Sequence, residues 1–186
     1  MKLHVIFAST REGRQGLPIA EWVTERVRAH GKFEPQLVDL REVNLPLFDE
    51  PKHPRFRQYE RAHTKAWSAV VDAADAFVFV TPEYNYSMPP SLVNAIDYLF
   101  QEWAYKPAGI VSYGGISGGT RSAQMIKLML TSMKVVPLPE GVSVPFFSKM
   151  IADGRFVPGE LQDKATGPML DELHRWARAL APLRNK

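Results

Sequence analysis

The sequence predicts a doubly wound α/β domain: an open sheet of five parallel strands in the order 2-1-3-4-5, with helices on both faces. Three observations lead there. Short apolar runs alternate with amphipathic stretches along the whole chain, the pattern of strand–helix–strand units that builds a parallel sheet. The run Ala76-Phe77-Val78-Phe79-Val80 is apolar throughout, as a strand buried on both faces is. The two loops richest in ligand-like residues follow the first and third strands, where this strand order has its switch point and where open sheets bind ligands.

In order, Leu3 to Ala8 is the first strand. Leu17 to about Ala29 is a helix: Ile19, Ala20, Val23 and Val27 recur at helical spacing, Pro18 sits in the first turn, and Gly31 provides the stop. Pro35 to Leu40 is a shorter second strand, followed by a Pro-rich connection from Arg41 to Pro54. Phe56 to Ala73 reads as a helix with Tyr59, Ala62, Ala66, Val70 and Ala73 on one side. The third strand, Ala76 to Thr81, leads into a helix from Ser91 to about Trp103. Ala108 to Tyr113 is strand four and Ser122 to Met133 the next helix. Val135 to Val144 holds strand five, whose Pro137 and Pro139 suit a sheet edge. A helix from Leu170 to Leu180 closes the chain. No repeat or inter-domain linker interrupts it, so residues 1–186 read as a single domain.

Composition narrows the function classes. Hydrophobic residues make up 45% and charged residues 23% of the chain, ordinary for a soluble globular protein. The formal charge is +3 and the pI about 9.2, but the basic residues are dispersed, which argues against nucleic acid as a partner and suits a small anionic cofactor. With no cysteine, disulfides, Cys-based zinc and thiol catalysis are excluded. His4, His30, His53, His63 and His174 show no metal-ligand spacing, so no metal is expected. No segment approaches the ~20 apolar residues of a membrane span, and no signal peptide is read at the start. The expected home is the cytoplasm.

Three loops carry the chemistry. After strand one, Ser9-Thr10-Arg11-Glu12-Gly13-Arg14-Gln15-Gly16 combines hydroxyls, arginines, glycines and free helix N-terminal amides, which together make a phosphate cradle. It is neither a Walker A loop nor a Gly-x-Gly-x-x-Gly dinucleotide loop. After strand three, Pro82-Glu83-Tyr84-Asn85 places a flat aromatic, an amide and a carboxylate at a strand end. After strand four, Ser112-Tyr113-Gly114-Gly115-Ile116-Ser117-Gly118-Gly119 carries four glycines that let backbone pass close to a flat ligand and aim amides at it.

The stretch from Thr81 to Leu99, with Pro82-Glu83-Tyr84-Asn85, then Ser87-Met88-Pro89, then Leu92-Val93-Asn94-Ala95-Ile96-Asp97, resembles the NADPH-dependent FMN reductase family of flavodoxin-like proteins. The loop Ser9–Gly16 is similar to that family's Gly-Ser-x-Arg-x-x-Ser, with Ala8 at the usual glycine and Arg14 at the second hydroxyl. Leu45-Pro46-Leu47-Phe48-Asp49 also matches a run the family carries after strand two. The resemblance implies a flavodoxin-like fold and FMN as cofactor. It implies NADPH or NADH as hydride donor, with a quinone, azo compound, free flavin or metal oxyanion as acceptor, and ping-pong kinetics. It nominates Ser9, Arg11, Arg14, Gln15 and Gly16 for the phosphate, and Pro82, Glu83, Tyr84, Asn85, Ser112, Tyr113, Gly114, Gly115 and Ser117 for the rest of the cofactor. No side chain is nominated as catalytic, because the flavin N5 carries the chemistry.

Two other classes compete. Gly115-Ile116-Ser117-Gly118-Gly119 fits the nucleophile elbow Gly-x-Ser-x-Gly of an α/β-hydrolase, and Asp153, Asp163, Asp171 and His174 follow in the order such a serine esterase uses. That reading leaves the other two loops unexplained. A non-enzymatic FMN electron carrier would share the fold, but such carriers tend to be strongly acidic, unlike this chain. Finally, Leu92, Val93, Ala95, Ile96, Tyr98, Leu99, Phe100 and Trp103 make the helix after strand three apolar nearly all round. A second apolar face seeks a partner, so a homodimer or dimer of dimers is expected.

Overall fold

In the computed structural model, which describes residues 1–184, β1 (Lys2–Phe7), β2 (Glu34–Asp39), β3 (Ala76–Pro82), β4 (Pro107–Tyr113) and β5 (Val136–Val144) form one sheet in the order β2-β1-β3-β4-β5. Every neighbouring pair runs parallel. The expected order is the observed one. β3 and β4 are buried at every position, which is why they lack the alternation of a half-exposed strand.

Side chains alternate between the faces. Leu3, Val5, Phe7, Val78, Val80 and Val111 pack with residues of α1 (Leu17–His30) and with Met169, Leu170 and Leu173. Ile6, Ala8, Phe77, Phe79 and Ile110 pack on the other face. There they meet α3 (Ala62–Asp72), α4 (Pro90–Asp97) and α5 (Thr120–Ser132). A four-residue helix, α2 (Leu40–Val43), follows β2 directly. At the β5 edge, the register jumps from Ala108↔Pro137 to Ile110↔Gly141, because two prolines without N–H groups cannot continue the ladder.

Four elements depart from expectation. α3 starts at Ala62 rather than Phe56: the buried Glu50 carboxylate accepts from the N–H groups of Glu60 and Arg61, both at 2.9 Å, and holds the chain outside the helix there. α4 ends at Asp97, not Trp103. The Trp67 indole donates to Ala95 O (2.8 Å) and that of Trp103 to Ile96 O (3.1 Å), and the chain turns inward. Tyr98, Leu99 and Trp103, counted toward a partner-seeking face, are instead fully buried within the chain. The last helix, α6, runs Glu160–Arg184, ten residues further upstream than read, through Gly167-Pro168. Its close packing overrides that breaker: a Cβ on Gly109 of β4 would lie 2.9 Å from Met169 Sδ. A small hairpin, β6 (Ile151–Ala152) and β7 (Arg155–Phe156), was not anticipated; Phe156 meets Trp22 edge-on at 5.1 Å.

Candidate active site

The C-terminal edge of the sheet brings the three nominated loops together. The hydroxyls of Ser9, after β1, and Tyr84, after β3, hydrogen-bond at 2.8 Å. Glu83 N–H donates to Tyr113 O at 3.2 Å, tying the β3 loop to the end of β4. Gly16, where α1 begins, lies against the Tyr113 ring. The site therefore sits at the switch point between β1 and β3, extended across β4.

In the first loop, among the described residues, the amide of Arg14 takes a backbone acceptor, Arg11 O, at 3.3 Å, while those of Thr10, Arg11, Glu12, Gly13, Gln15 and Gly16 donate to no protein atom. α1 starts without any side-chain cap. Loose amides at an uncapped helix start, with the exposed Arg11 beside them, form a cradle for a phosphate. Arg14 points elsewhere. It donates to Ser9 O at 2.7 Å and pairs through both terminal nitrogens with Asp39, at the end of β2.

The second loop closes through a bridge between Tyr84 and Ser87. Asn85 and Tyr86 between them both have positive φ, 49° and 68°, the geometry of a mirror-image turn; Asn tolerates it well, Tyr less so. Tyr86 is exposed, and the Arg121 guanidinium lies 3.9 Å from its ring centre. The Glu83 carboxylate is turned inward, accepting from Arg121 N and Nε, both at 3.1 Å. It thereby caps α5, whose own Gly119 offers no side-chain cap. Pro82 is buried as the last residue of β3, paired with Tyr113.

In the third loop the amides of Gly115, Ile116 and Ser117 donate to no protein atom among the described residues. The loop is held from beneath: the Ser112 and Ser143 hydroxyls both donate to Gly118 O (2.9 and 3.1 Å), and the N–H groups of Phe146 and Phe147 reach Gly115 O and Gly114 O. Gly119 is required outright, with φ 79° and a would-be Cβ 2.7 Å from Tyr113 N and O. Tyr113 itself is 3% exposed, wedged between Gly16 and Phe147. Burial raises its phenol pKa, so it keeps its proton. Ile116 and Phe146 are exposed at the rim.

Two sets of backbone donors thus sit on loops that meet at one edge of the sheet. One set, beside Arg11, suits a phosphate; the other, carried on glycines that allow close approach, suits the polar edge of a flat ring. A flavin mononucleotide fits both. The hydrolase arrangement does not form. Ser117 follows β4 at the C-terminal edge, whereas His174 packs on Phe33, just before β2, and Asp171 is held by Lys32 and His30 at that opposite edge. Asp39 was missed in the sequence, where its place at the end of β2 was the only signal; the pairing of Glu83 with Arg121, 38 positions on, left none.

The family described as NADPH-dependent FMN reductase matches residues 1–149 of this chain. An NAD(P)H-dependent FMN reductase of Schizosaccharomyces pombe is 40% identical over 147 residues, covering 77% of this chain and 74% of the relative. Another from Nectria sp is 34% identical over 175 residues, covering 88% and 86%. An NADPH azoreductase of Bacillus sp. is 28% identical over 182 residues, covering 96% and 92%. In fold, the chain matches FerB, a flavoenzyme NAD(P)H:(acceptor) oxidoreductase from Paracoccus denitrificans, with a TM-score of 0.73 at 22% identity, over 96% of this chain and 97% of that one. The chain belongs to the NADPH-dependent FMN reductase family.

Proposed function

We propose that this enzyme binds FMN across the β1–β3 switch point and moves reducing equivalents from NAD(P)H to a quinone, azo compound, free flavin or metal oxyanion. The observation that carries the reading is the pair of amide sets that donate to no protein atom among the described residues, Thr10–Gly13 with Gln15 and Gly16, and Gly115–Ser117, on loops that meet at Tyr84 and Tyr113. Bound FMN supplies the hydride and electron chemistry, and the protein contributes position and polarity. Ser9, Arg11, Gln15 and Gly16 line the phosphate end. Pro82, Glu83, Tyr84, Asn85, Ser112, Tyr113, Gly114, Gly115 and Ser117 build or support the ring end, where the free amides stabilise negative charge. Of these, Glu83 and Tyr113 act from behind the groove, through Arg121 and Gly16. The same reading puts the enzyme in the cytoplasm, where NAD(P)H is available; among the described residues no helix is long and apolar enough to cross a membrane.

Flavin content of the purified protein is the direct test. A yellow protein, or an apoprotein that takes up FMN stoichiometrically and whose flavin is bleached rapidly by NADPH or NADH, is the expected result. A colourless protein that ignores added FMN would sink the reading. A bound flavin inert to both nucleotides would instead mark an electron carrier.

A homodimer is also proposed. Leu47, Phe48 and Phe56 on the connection after α2 stay exposed, at 83%, 41% and 60%, and this segment is pinned to α4: Phe48 N–H donates to Asn94 Oδ1 at 2.9 Å. These apolar side chains, rather than Tyr98 or Trp103, are offered to a second copy. A dimeric mass that Leu47→Asp reduces to monomer is expected by light scattering at micromolar protein. A monomeric wild type contradicts it.

A further inference from the structure

We infer that Arg14 and Asp39 form a strut that preforms the phosphate loop, so that Arg14 is a positioning residue and not a phosphate ligand; this rests on FMN being the ligand of the groove. The family pattern has a small hydroxyl where this chain carries Arg14. Such a hydroxyl would offer the anion one more donor, whereas Arg14 commits three of its five N–H donors to Ser9 and Asp39.

An arginine side chain carries five N–H donors in a planar fork. Nη1 serves both Ser9 O (2.7 Å) and Asp39 Oδ1 (2.6 Å), and Nη2 serves Asp39 Oδ2. The guanidinium also lies 5.0 Å from the centre of the Phe7 ring. Only 10% of the Arg14 side chain and 13% of that of Asp39 is exposed. Asp39 is fixed in turn: it pairs in register with Phe7, and its Oδ1 accepts from Arg41 N–H at 2.9 Å, capping α2. The fork therefore joins the end of β1, the middle of the loop and the end of β2. The remaining amides of the loop stay free while its backbone is held. Preformed geometry raises affinity by removing the entropy of ordering the loop on binding. Because Asp39 neutralises Arg14, net attraction for the phosphate falls to Arg11 and the amides.

The strut and a direct ligand predict opposite signs for one substitution. If Arg14 met the phosphate, Asp39→Asn would remove a competing negative charge and tighten FMN binding. With a strut, Asp39→Asn loosens the loop and weakens FMN binding, roughly tenfold, as Arg14→Ala does, and the double variant loses little more than either single. Arg14→Lys keeps the charge but not the fork, and is expected to bind FMN as poorly as Arg14→Ala. Riboflavin, lacking the phosphate, is the control: a general loss of folding lowers both flavins, whereas the strut lowers FMN alone. The experiment is a fluorescence titration of the apoproteins with FMN and with riboflavin. Tighter FMN binding by Asp39→Asn, additive single losses, or rescue by Arg14→Lys would each overturn the strut. A wild type that takes up no FMN overturns the functional reading itself, and the strut with it.

Discussion

A methyl group at Gly16 tests the packing of the site most directly. The backbone there is right-handed, φ −87° and ψ −6°, a conformation alanine adopts freely, so loss of glycine's freedom is not at stake. Space is. An added Cβ would lie 2.2 Å from the Tyr113 hydroxyl and 2.3 Å from its Cζ, where ordinary contact begins at 3.4 Å. Loop and ring must therefore separate by about 1.2 Å to restore ordinary contact. The ring has little room to yield, being 3% exposed and 4.9 Å from the Phe147 ring centre. The loop is the softer side and takes the displacement. Overpacking of this kind costs about 1–3 kcal/mol, so Gly16→Ala should lower FMN affinity roughly five- to hundredfold. The assay is quenching of FMN fluorescence on titration with apoprotein, for Gly16→Ala, Tyr113→Leu and the double variant. The double variant should bind FMN about as well as Tyr113→Leu alone, because the clashing ring is gone. Wild-type affinity in Gly16→Ala, or a double variant showing the sum of both losses, would refute the idea that this ring shapes the cradle.

Other expectations follow from the same structure. Arg11→Ala removes a charge-assisted contact worth ~1.5–3 kcal/mol, so FMN should weaken roughly ten- to a hundredfold while riboflavin barely changes; equal losses for both flavins would show that Arg11 does not meet the phosphate. His4 is 1% exposed, with neither ring nitrogen partnered among the described residues, and burial, with Lys106 and Lys2 nearby, lowers its pKa from 6.5 to about 4. Below pH 6.5 the unfolded chain binds a proton that the native state refuses, so stability falls as pH drops through that window and levels off below about 4, a total of about 3 kcal/mol. Urea unfolding of His4→Leu apoprotein should therefore lose about 2 kcal/mol less than wild type between pH 7 and pH 5, and parallel curves would contradict this. Glu83→Gln weakens the cap on α5 and the pairing with Arg121, lowering apoprotein stability by about 1 kcal/mol and Tm by about 2–4 °C; an unchanged Tm would mean the cap carries no stability.

The parallel sheet and the loops that suit a phosphate and a flat ring were legible in the sequence from local signals, whereas FMN itself came from the resemblance to the family. Apolar runs mark the strands, and their alternation with amphipathic stretches marks a parallel sheet. The right-handed crossover that such a sheet requires then brings the ends of β1 and β3 together. The residues Ser9 to Gly16, Pro82 to Asn85 and Gly114 to Ser117 come to one edge of the sheet for that reason. Helix ends were less legible, because long-range partners set them. Glu50 holds the residues just before α3 from ten positions upstream, and two indoles take the carbonyls of Ala95 and Ile96 near the end of α4. No local propensity records such contacts. The orientation of charged side chains was hidden for the same cause. Arg14 sits among phosphate-binding residues in the chain, and only the pairing of β1 with β2 brings Asp39 to it. Glu83 looked like a cofactor contact until β4 and α5 brought Arg121 within 3.1 Å. Period and composition decide which loops form the site, since they act through neighbours in sequence. Which side chains face the ligand is decided by register and packing, since a buried or half-buried charge turns toward whatever partner the fold brings nearest.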